Sequence, residues 1–202
     1  MKKINKTNEP KEWLEYRQTP GVEFSAIKEL KESLLHEQGY LCAYCMRRID
    51  IDKMKVEHIK PRRYEDKIFD YNNLVACCEG EFGDLRFCDT NKENREISIN
   101  LFDQLDIDTI SYSSKDGAMH SSNVVYSIDI NEVLNLNCRI LKENRIECLN
   151  GVILALGKGG SWKGCDIRKK IKEYQSRDKD GRFKEYCGIV IWFLEKKMKK
   201  LV

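Results

Sequence analysis

Apolar residues recur with helical spacing in three stretches, and the section at 40–100 between the first and second shows very little of that periodicity. Phe24, Ile27, Leu30, Leu34 and Leu35 fall at three- and four-residue intervals. They predict a helix over 24–38, with Gly39 placed where a residue of positive φ commonly closes one. Val133, Leu134, Leu136, Ile140, Leu141, Leu149, Ile153 and Leu154 predict a second helical stretch over 132–156, stopping near Gly157. A third, around 182–200, joins Tyr186, Ile189, Val190, Trp192, Phe193 and Leu194 to a basic end, Lys196 to Lys200. Cations at a helix C-terminus suit the macrodipole, so that run needs no ligand to explain it. Residues 1–20 are polar, with Pro10 and Pro20 bracketing Trp13, Leu14 and Tyr16, and read as an arm laid on the surface. Residues 157–164, GKGGSWKG, read as a flexible connector.

Within the middle section, Lys55 to Ile59 reads as a short strand and Asn91 to Ile99 as the start of a helix. Asp116-Gly117, between short polar–apolar runs over 111–122, is a hairpin signal. Bulk composition changes this picture little. In 202 residues, 41% apolar content supports a packed core, and 36 basic against 33 acidic residues leave a net charge of only +3. Net charge alone therefore does not mark a nucleic-acid binder. No stretch approaches the roughly 20 apolar residues of a membrane helix, and MKKINKTNEP has no apolar segment behind its lysines, as a secretory signal would. Nine cysteines without an export signal point to the cytoplasm, where close cysteines bind metal more often than they pair.

The cysteines carry the first chemistry. Cys42-Ala-Tyr-Cys45 is a C-x-x-C knuckle, and Cys77, Cys78 and Cys88 follow. Two thiolates from a knuckle and two from a later loop make a tetrahedral all-sulfur zinc site. Nine residues separate Cys78 from Cys88, so the chain must fold back between them; Gly80 and Gly83 permit such a turn. A redox use of the knuckle would need a βαβ context that the pattern lacks. Cys138, Cys148, Cys165 and Cys187 read as small buried hydrophobes.

Between the cysteine pairs stand Glu57-His58-Ile59-Lys60-Pro61 and Asn72-Asn73-Leu74, and only three histidines occur in the chain. Phosphodiester hydrolysis needs a base to activate water and a cation to neutralise developing charge, and a neutral imidazole can be that base near pH 7. Neighbours on a strand point to opposite faces, so Glu57 and His58 share a site only where the strand ends or twists. Asp89, in Cys88-Asp89-Thr90-Asn91-Lys92, could give Mg²⁺ a hard oxygen ligand, and Lys92 could meet a phosphate. Structural alternatives are a packing histidine for His58 and a helix N-cap for Asp89. The basic flank, with Lys60, Arg62 and Arg63, suits phosphate positioning, although such runs are usually solvated faces. Asp178-x-Asp180-Gly181 lacks the rest of a calcium loop, and GKGGS lacks the order of a nucleotide cradle. His36 and His120 read as ordinary surface or packing histidines.

These residues together resemble the HNH endonuclease family, whose pattern is matched by Cys42/Cys45, Glu57-His58-Ile59-x-Pro61, Asn73-Leu74, Cys78 and Cys88-Asp89-x-x-Lys92. GYLCAYCMRRI (39–49), MKVEHIKP (54–61), NLVACCEG (73–80), CDTNK (88–92) and LNLN with a later ENR are similar to the retron-associated and Septu-type anti-phage HNH nucleases, over roughly residues 10 to 150. The resemblance implies an α+β chain. It would comprise an N-terminal arm and helix (1–39), a ββα-metal core with a four-cysteine zinc knuckle (40–100), and a hairpin with a mainly helical C-terminal lobe (101–202). It selects Cys78 over Cys77, so that Cys42, Cys45, Cys78 and Cys88 would hold zinc. It makes His58 the general base, and Glu57 and Asp89 the holders of a catalytic divalent ion. Asn73 would brace the loop or orient His58. Asp89 departs from the family's usual His or Asn, which favours Mg²⁺ or Mn²⁺ over a softer ion. The resemblance also implies a nucleic-acid substrate, DNA before RNA, and an ABC-type ATPase partner. For some such nucleases it adds a retron reverse transcriptase with its RNA–DNA product. The rival reading is a zinc-knuckle module that binds nucleic acid or a partner without cutting.

Overall fold

The computed structural model describes residues 1–157 and 162–201. Residues 158–161 of the connector predicted at 157–164 thus lie outside the described residues. The architecture mixes helices with three small two-stranded antiparallel sheets. Helix α1 (Lys11–Arg17) and helix α2 (Lys28–Glu37) come first. Next are strand β1 (Met54–His58) and strand β2 (Leu74–Cys78), paired so that Met54 faces Cys78 and His58 faces Leu74. A tiny hairpin of β3 (Glu81–Phe82) and β4 (Leu85–Arg86) precedes helix α3 (Cys88–Lys92). Helix α4 (Gln104–Asp108), the hairpin of β5 (Ile110–Tyr112) and β6 (Met119–Ser121), and helix α5 (Val124–Ile128) follow. Helices α6 (Arg139–Leu156), α7 (Gly164–Gln175) and α8 (Cys187–Met198) complete the chain. Among the described residues, no helix is long and apolar enough to cross a membrane.

Several boundaries move for identifiable reasons. Residues 1–20 are not a surface arm: Met1, Ile4 and Trp13 are buried in the core, and Ile4 N–H donates to the Leu101 carbonyl at 2.9 Å. α2 starts at Lys28, not Phe24, because Ile27 is extended (φ −60°, ψ 158°). That extension frees Phe24 to join Trp13 and Phe69 in an aromatic group. The helix expected to begin at Asn91 instead ends at Lys92, because Glu93 takes a left-handed φ of 52°. The 132–156 stretch is helical in earnest only from Arg139, after a π-helical turn at Asp129–Val133. The turn at Asp116-Gly117 is present, with Gly117 at φ 75° and β5 and β6 on either side.

The long excursion between Cys78 and Cys88 closes through glycine. Gly80 sits at φ 74°, and its carbonyl accepts from Phe87 N–H at 2.8 Å. A Cβ at Gly80 would lie 2.3 Å from the Phe87 carbonyl oxygen, a clash that backbone cannot absorb. Only glycine fits both the conformation and the approach. The fold-back places Cys88 directly at the start of α3, which packs on β2. Asn91 Nδ2 donates to the Glu132 and Val133 carbonyls, and Asn135 Nδ2 to the Arg86 carbonyl, so the later chain clamps this helix in place.

Candidate active site and metal centre

The end of β1 resolves the conflict posed by strand alternation. Glu57 and His58 leave the strand in opposite directions, yet both line one open cleft of about 690 Å³ with Arg62, Asp89 and Glu93. A slightly larger hollow of about 780 Å³, near Lys3, Ser111 and Trp192, contains none of the predicted site residues. Chemistry, not size, marks the cleft.

His58 is buried except at the cleft. Its Nε2 lies 3.0 Å from the Ile68 carbonyl oxygen. A carbonyl only accepts, so Nε2 carries the proton and Nδ1 keeps its lone pair. Arg62 Nε lies 3.4 Å from that Nδ1, and the guanidinium rests 4.9 Å over the Phe24 ring, which meets the imidazole at 4.6 Å. Burial, with the Arg62 and Lys92 charges, holds His58 below the ordinary imidazole value against the Ile68 carbonyl and Asp89. The neutral form that can accept a proton is therefore its resting form at pH 7.

Glu57 is buried between two donors: Lys92 Nζ at 2.7 Å and the Tyr44 hydroxyl at 3.2 Å. Burial first, then the adjoining Asp89 carboxyl, pushes Glu57 up to about 8 against the pull of Lys92. Two adjoining carboxyls of this kind suit a divalent ion with hard oxygen ligands.

Lys92 itself requires correction. It is fully buried, and beyond Glu57 its Nζ donates to the His58 carbonyl at 3.0 Å. It pins α3 to the end of β1 and offers nothing to a nucleic acid. Lys92→Met should cost about 1–3 kcal/mol by leaving the buried Glu57 carboxyl and the His58 carbonyl without their donor. Adding Glu57→Gln should recover part of that loss, as read by denaturant unfolding of both variants.

Asn73 braces the loop and makes no bond to His58. Its Oδ1 accepts from Lys60 N–H at 2.7 Å, and its Nδ2 donates to the Lys60 and Lys67 carbonyls. The braced loop carries Ile68, so the orienting group is a backbone carbonyl that no side-chain pattern reveals. Lys60 and Arg63 are exposed but both spent on Glu96, at 2.6 and 2.5 Å. Arg62 faces the cleft. His36 and His120 are exposed and remote from this cleft's lining.

Cys42, Cys45, Cys78 and Cys88 meet as a buried cluster whose sulfurs all lie within 4.8 Å of one another. Two edges, Cys42–Cys88 and Cys45–Cys78, measure 3.8 Å. A tetrahedron with Zn–S bonds of about 2.3 Å has edges of about 3.8 Å, so the spacing fits a bound metal ion. Burial drives the Cys45 and Cys88 thiols well up, while at Cys42 hydrogen bonds from the neighbouring sulfurs override burial and hold its pKa well down. Cys77, also buried, lies outside the four. Of the remaining cysteines, Cys165 is exposed, contrary to its reading as a buried hydrophobe.

No protein-family profile matches the chain. Two curated proteins do. "Retron Vc95 putative HNH endonuclease" of Vibrio cholerae is 32% identical over 82 residues, covering 38% of this chain and 40% of its own length. "Retron Ec83 putative HNH endonuclease" of Escherichia coli is 30% identical over 100 residues, covering 40% of this chain and 38% of its own. The chain is similar to retron HNH endonucleases. The aligned part spans about two fifths of each relative. In this chain the acidic–His pair, Glu57-His58, stands at the end of β1. Tyr44 is the site residue the sequence concealed: as the third residue of the knuckle, it links the sulfur cluster to Glu57.

Proposed function

We propose that this chain is a metal-dependent HNH endonuclease that hydrolyses phosphodiester bonds in DNA, as the effector of an anti-phage defence system. The observation that carries the reading is the cleft itself, where a neutral His58, whose Nδ1 accepts only a long 3.4 Å bond from Arg62 Nε–H, faces the same opening as the Glu57–Asp89 pair. The β1–β2 hairpin with α3 packed on it would then be the ββα-metal core within residues 40–100, and the four cysteines would hold a structural Zn²⁺. A non-cutting zinc module leaves both the unprotonated Nδ1 at the cleft and the paired carboxyls without a role.

In this reading His58 Nδ1 takes a proton from the attacking water, while Nε2–H stays on the Ile68 carbonyl and keeps the ring aimed. Glu57 and Asp89 would hold Mg²⁺ or Mn²⁺, which supplies Lewis-acid stabilisation of the scissile phosphate and leaving oxygen. Lys92 and Tyr44 fix the Glu57 carboxylate, and Arg62 at the cleft mouth meets a non-bridging phosphate oxygen. From the family resemblance we add an ABC-type ATPase subunit as partner, and a retron reverse transcriptase with its RNA–DNA product as the system's third component.

The test is cleavage of plasmid DNA and of RNA by the full chain, alone and with its cognate ATPase subunit, in Mg²⁺ or Mn²⁺. We expect activity that EDTA abolishes, and that Asp89→Asn lowers by about 100-fold or more, the scale of losing one preorganised electrostatic group. An inert wild type under every condition, or an Asp89→Asn protein that cuts as fast, overturns the assignment.

A further inference from the structure

Three cations, Lys31, Lys55 and Arg62, line the cleft, and Lys55 is paired with Asp89. Lys60 and Arg63 are spent on Glu96, and Lys92 is buried on Glu57. The chain's positive charge lies elsewhere: residues 162–202 hold 13 Lys and Arg against 6 Asp and Glu, a net +7, while the whole chain is +3, leaving −4 for residues 1–161. Part of this excess is used locally. Lys170 and Lys184 pair with Glu173, and Arg177 donates to the His36 and Glu37 carbonyls. Arg168, Lys169 and Lys172 are exposed on α7 and form no ion pair among the described residues.

These three share one arc of α7, opposite its buried Ile167 and half-buried Ile171 and Tyr174. Like charges three and four residues apart destabilise a helix. The macrodipole that accounts for the lysines ending α8 does nothing for Arg168 and Lys169, which lie away from α7's last turn. Trp162, just before α7, stacks edge-on against Phe193 at 6.1 Å, and Lys197 sits 5.8 Å over its ring. The approach to α7 and the basic end of α8 therefore meet at a half-buried indole, and each of the two helices carries exposed cations.

We propose that this α7–α8 surface is a second nucleic-acid contact, separate from the cleft, that grips the phosphodiester backbone of the substrate. It rests on the nuclease reading above. Unpaired cations on one face beside an aromatic suit a dense line of phosphates, and their contribution must appear as counterion release.

The experiment is a salt titration of binding by the full chain to labelled duplex DNA and to labelled single-stranded RNA. Its variants are Arg168→Glu/Lys169→Glu/Lys172→Glu and a charge-matched control, Lys11→Glu/Lys28→Glu/Lys115→Glu. Sulfur-cluster metal content and circular dichroism verify that both fold. For whichever nucleic acid the wild type binds, the α7 variant should bind at least tenfold more weakly. Its slope of log affinity against log salt should fall by about 2–3, at roughly 0.9 per lost phosphate on duplex DNA; the control should stay near wild type. An α7 variant that binds like the control overturns the proposal. So does a wild type with no affinity for either nucleic acid, as expected if an acidic protein were the true occupant. His58→Ala separates the two claims: undiminished cleavage in that variant removes the catalytic reading while leaving the binding surface standing. Unaltered binding by the α7 variant removes the surface alone.

Discussion

His58→Ala is expected to lower the rate of phosphodiester cleavage by about 10²–10⁴-fold, the usual worth of a positioned general base. The structure gives the residue what that role demands. Its Nε2–H is committed to the Ile68 carbonyl at 3.0 Å, so the lone pair is fixed on Nδ1, where it accepts a long 3.4 Å bond from Arg62 Nε–H that an attacking water would replace. Binding of divalent ions by Glu57 and Asp89 should survive the substitution, because His58 is not among their ligands. Loss of rate without loss of metal thus separates a base from a structural residue. The pH profile gives a second signature. Protonating Nδ1 removes the lone pair, so activity must fall with pH as His58 titrates. Burial and the Arg62 and Lys92 charges hold that titration below the ordinary imidazole value of 6.5. The acid limb governed by His58 should therefore lie below pH 6.5 and vanish in His58→Ala, as a rate–pH series on both proteins would show. An alanine variant with the wild-type rate at every pH would end the assignment of His58 as base.

The parts of this site that short-range patterns encode were legible in advance. The strand at 55–59, the knuckle and the glycine-hinged return to Cys88 each depend on local residue types, and β1, Gly80 and the cysteine cluster occupy those positions. What local patterns cannot carry is which polar group a fold chooses to bury. Lys92 looked like a phosphate contact because lysine is usually solvated. It is interior here because α3 ends against β1, where Glu57 and the His58 carbonyl take its protons. Tyr44 was silent for the same reason: a phenol within a knuckle is ordinary until Glu57 is found beside it. The predicted 91–99 helix failed on one backbone angle, the left-handed Glu93. Helix α7 escaped notice because Lys and Arg outnumber its few apolar residues, Ile167, Ile171 and Tyr174, and that same excess makes its outer face the candidate substrate grip.

Removing a metal ion held by the cysteine cluster should have the largest effect of all, because that ion would hold together the fold around the cleft. Structural zinc sites are worth roughly 10–16 kcal/mol to small domains, comparable with or larger than the whole stability of about 5–15 kcal/mol of a typical protein. Here the cluster is also the hub from which both acidic groups hang. Cys88 begins α3 and is followed at once by Asp89, while Tyr44, between Cys42 and Cys45, donates to Glu57. Without the ion, four buried thiols less than 5 Å apart are left with only one another for partners. Purified protein should carry one zinc per chain by elemental analysis. Cys88→Ser, or exhaustive chelation, should abolish the cooperative thermal transition along with cleavage. Cys77→Ser is the control that gives this meaning: the residue is equally buried but outside the four sulfurs, so metal stoichiometry should persist with only a modest drop in melting temperature. A Cys88→Ser protein that kept both its zinc and its cooperative melt would show that the carboxyls are held by packing alone, and the dependence of the cleft on the sulfur cluster would have to be abandoned.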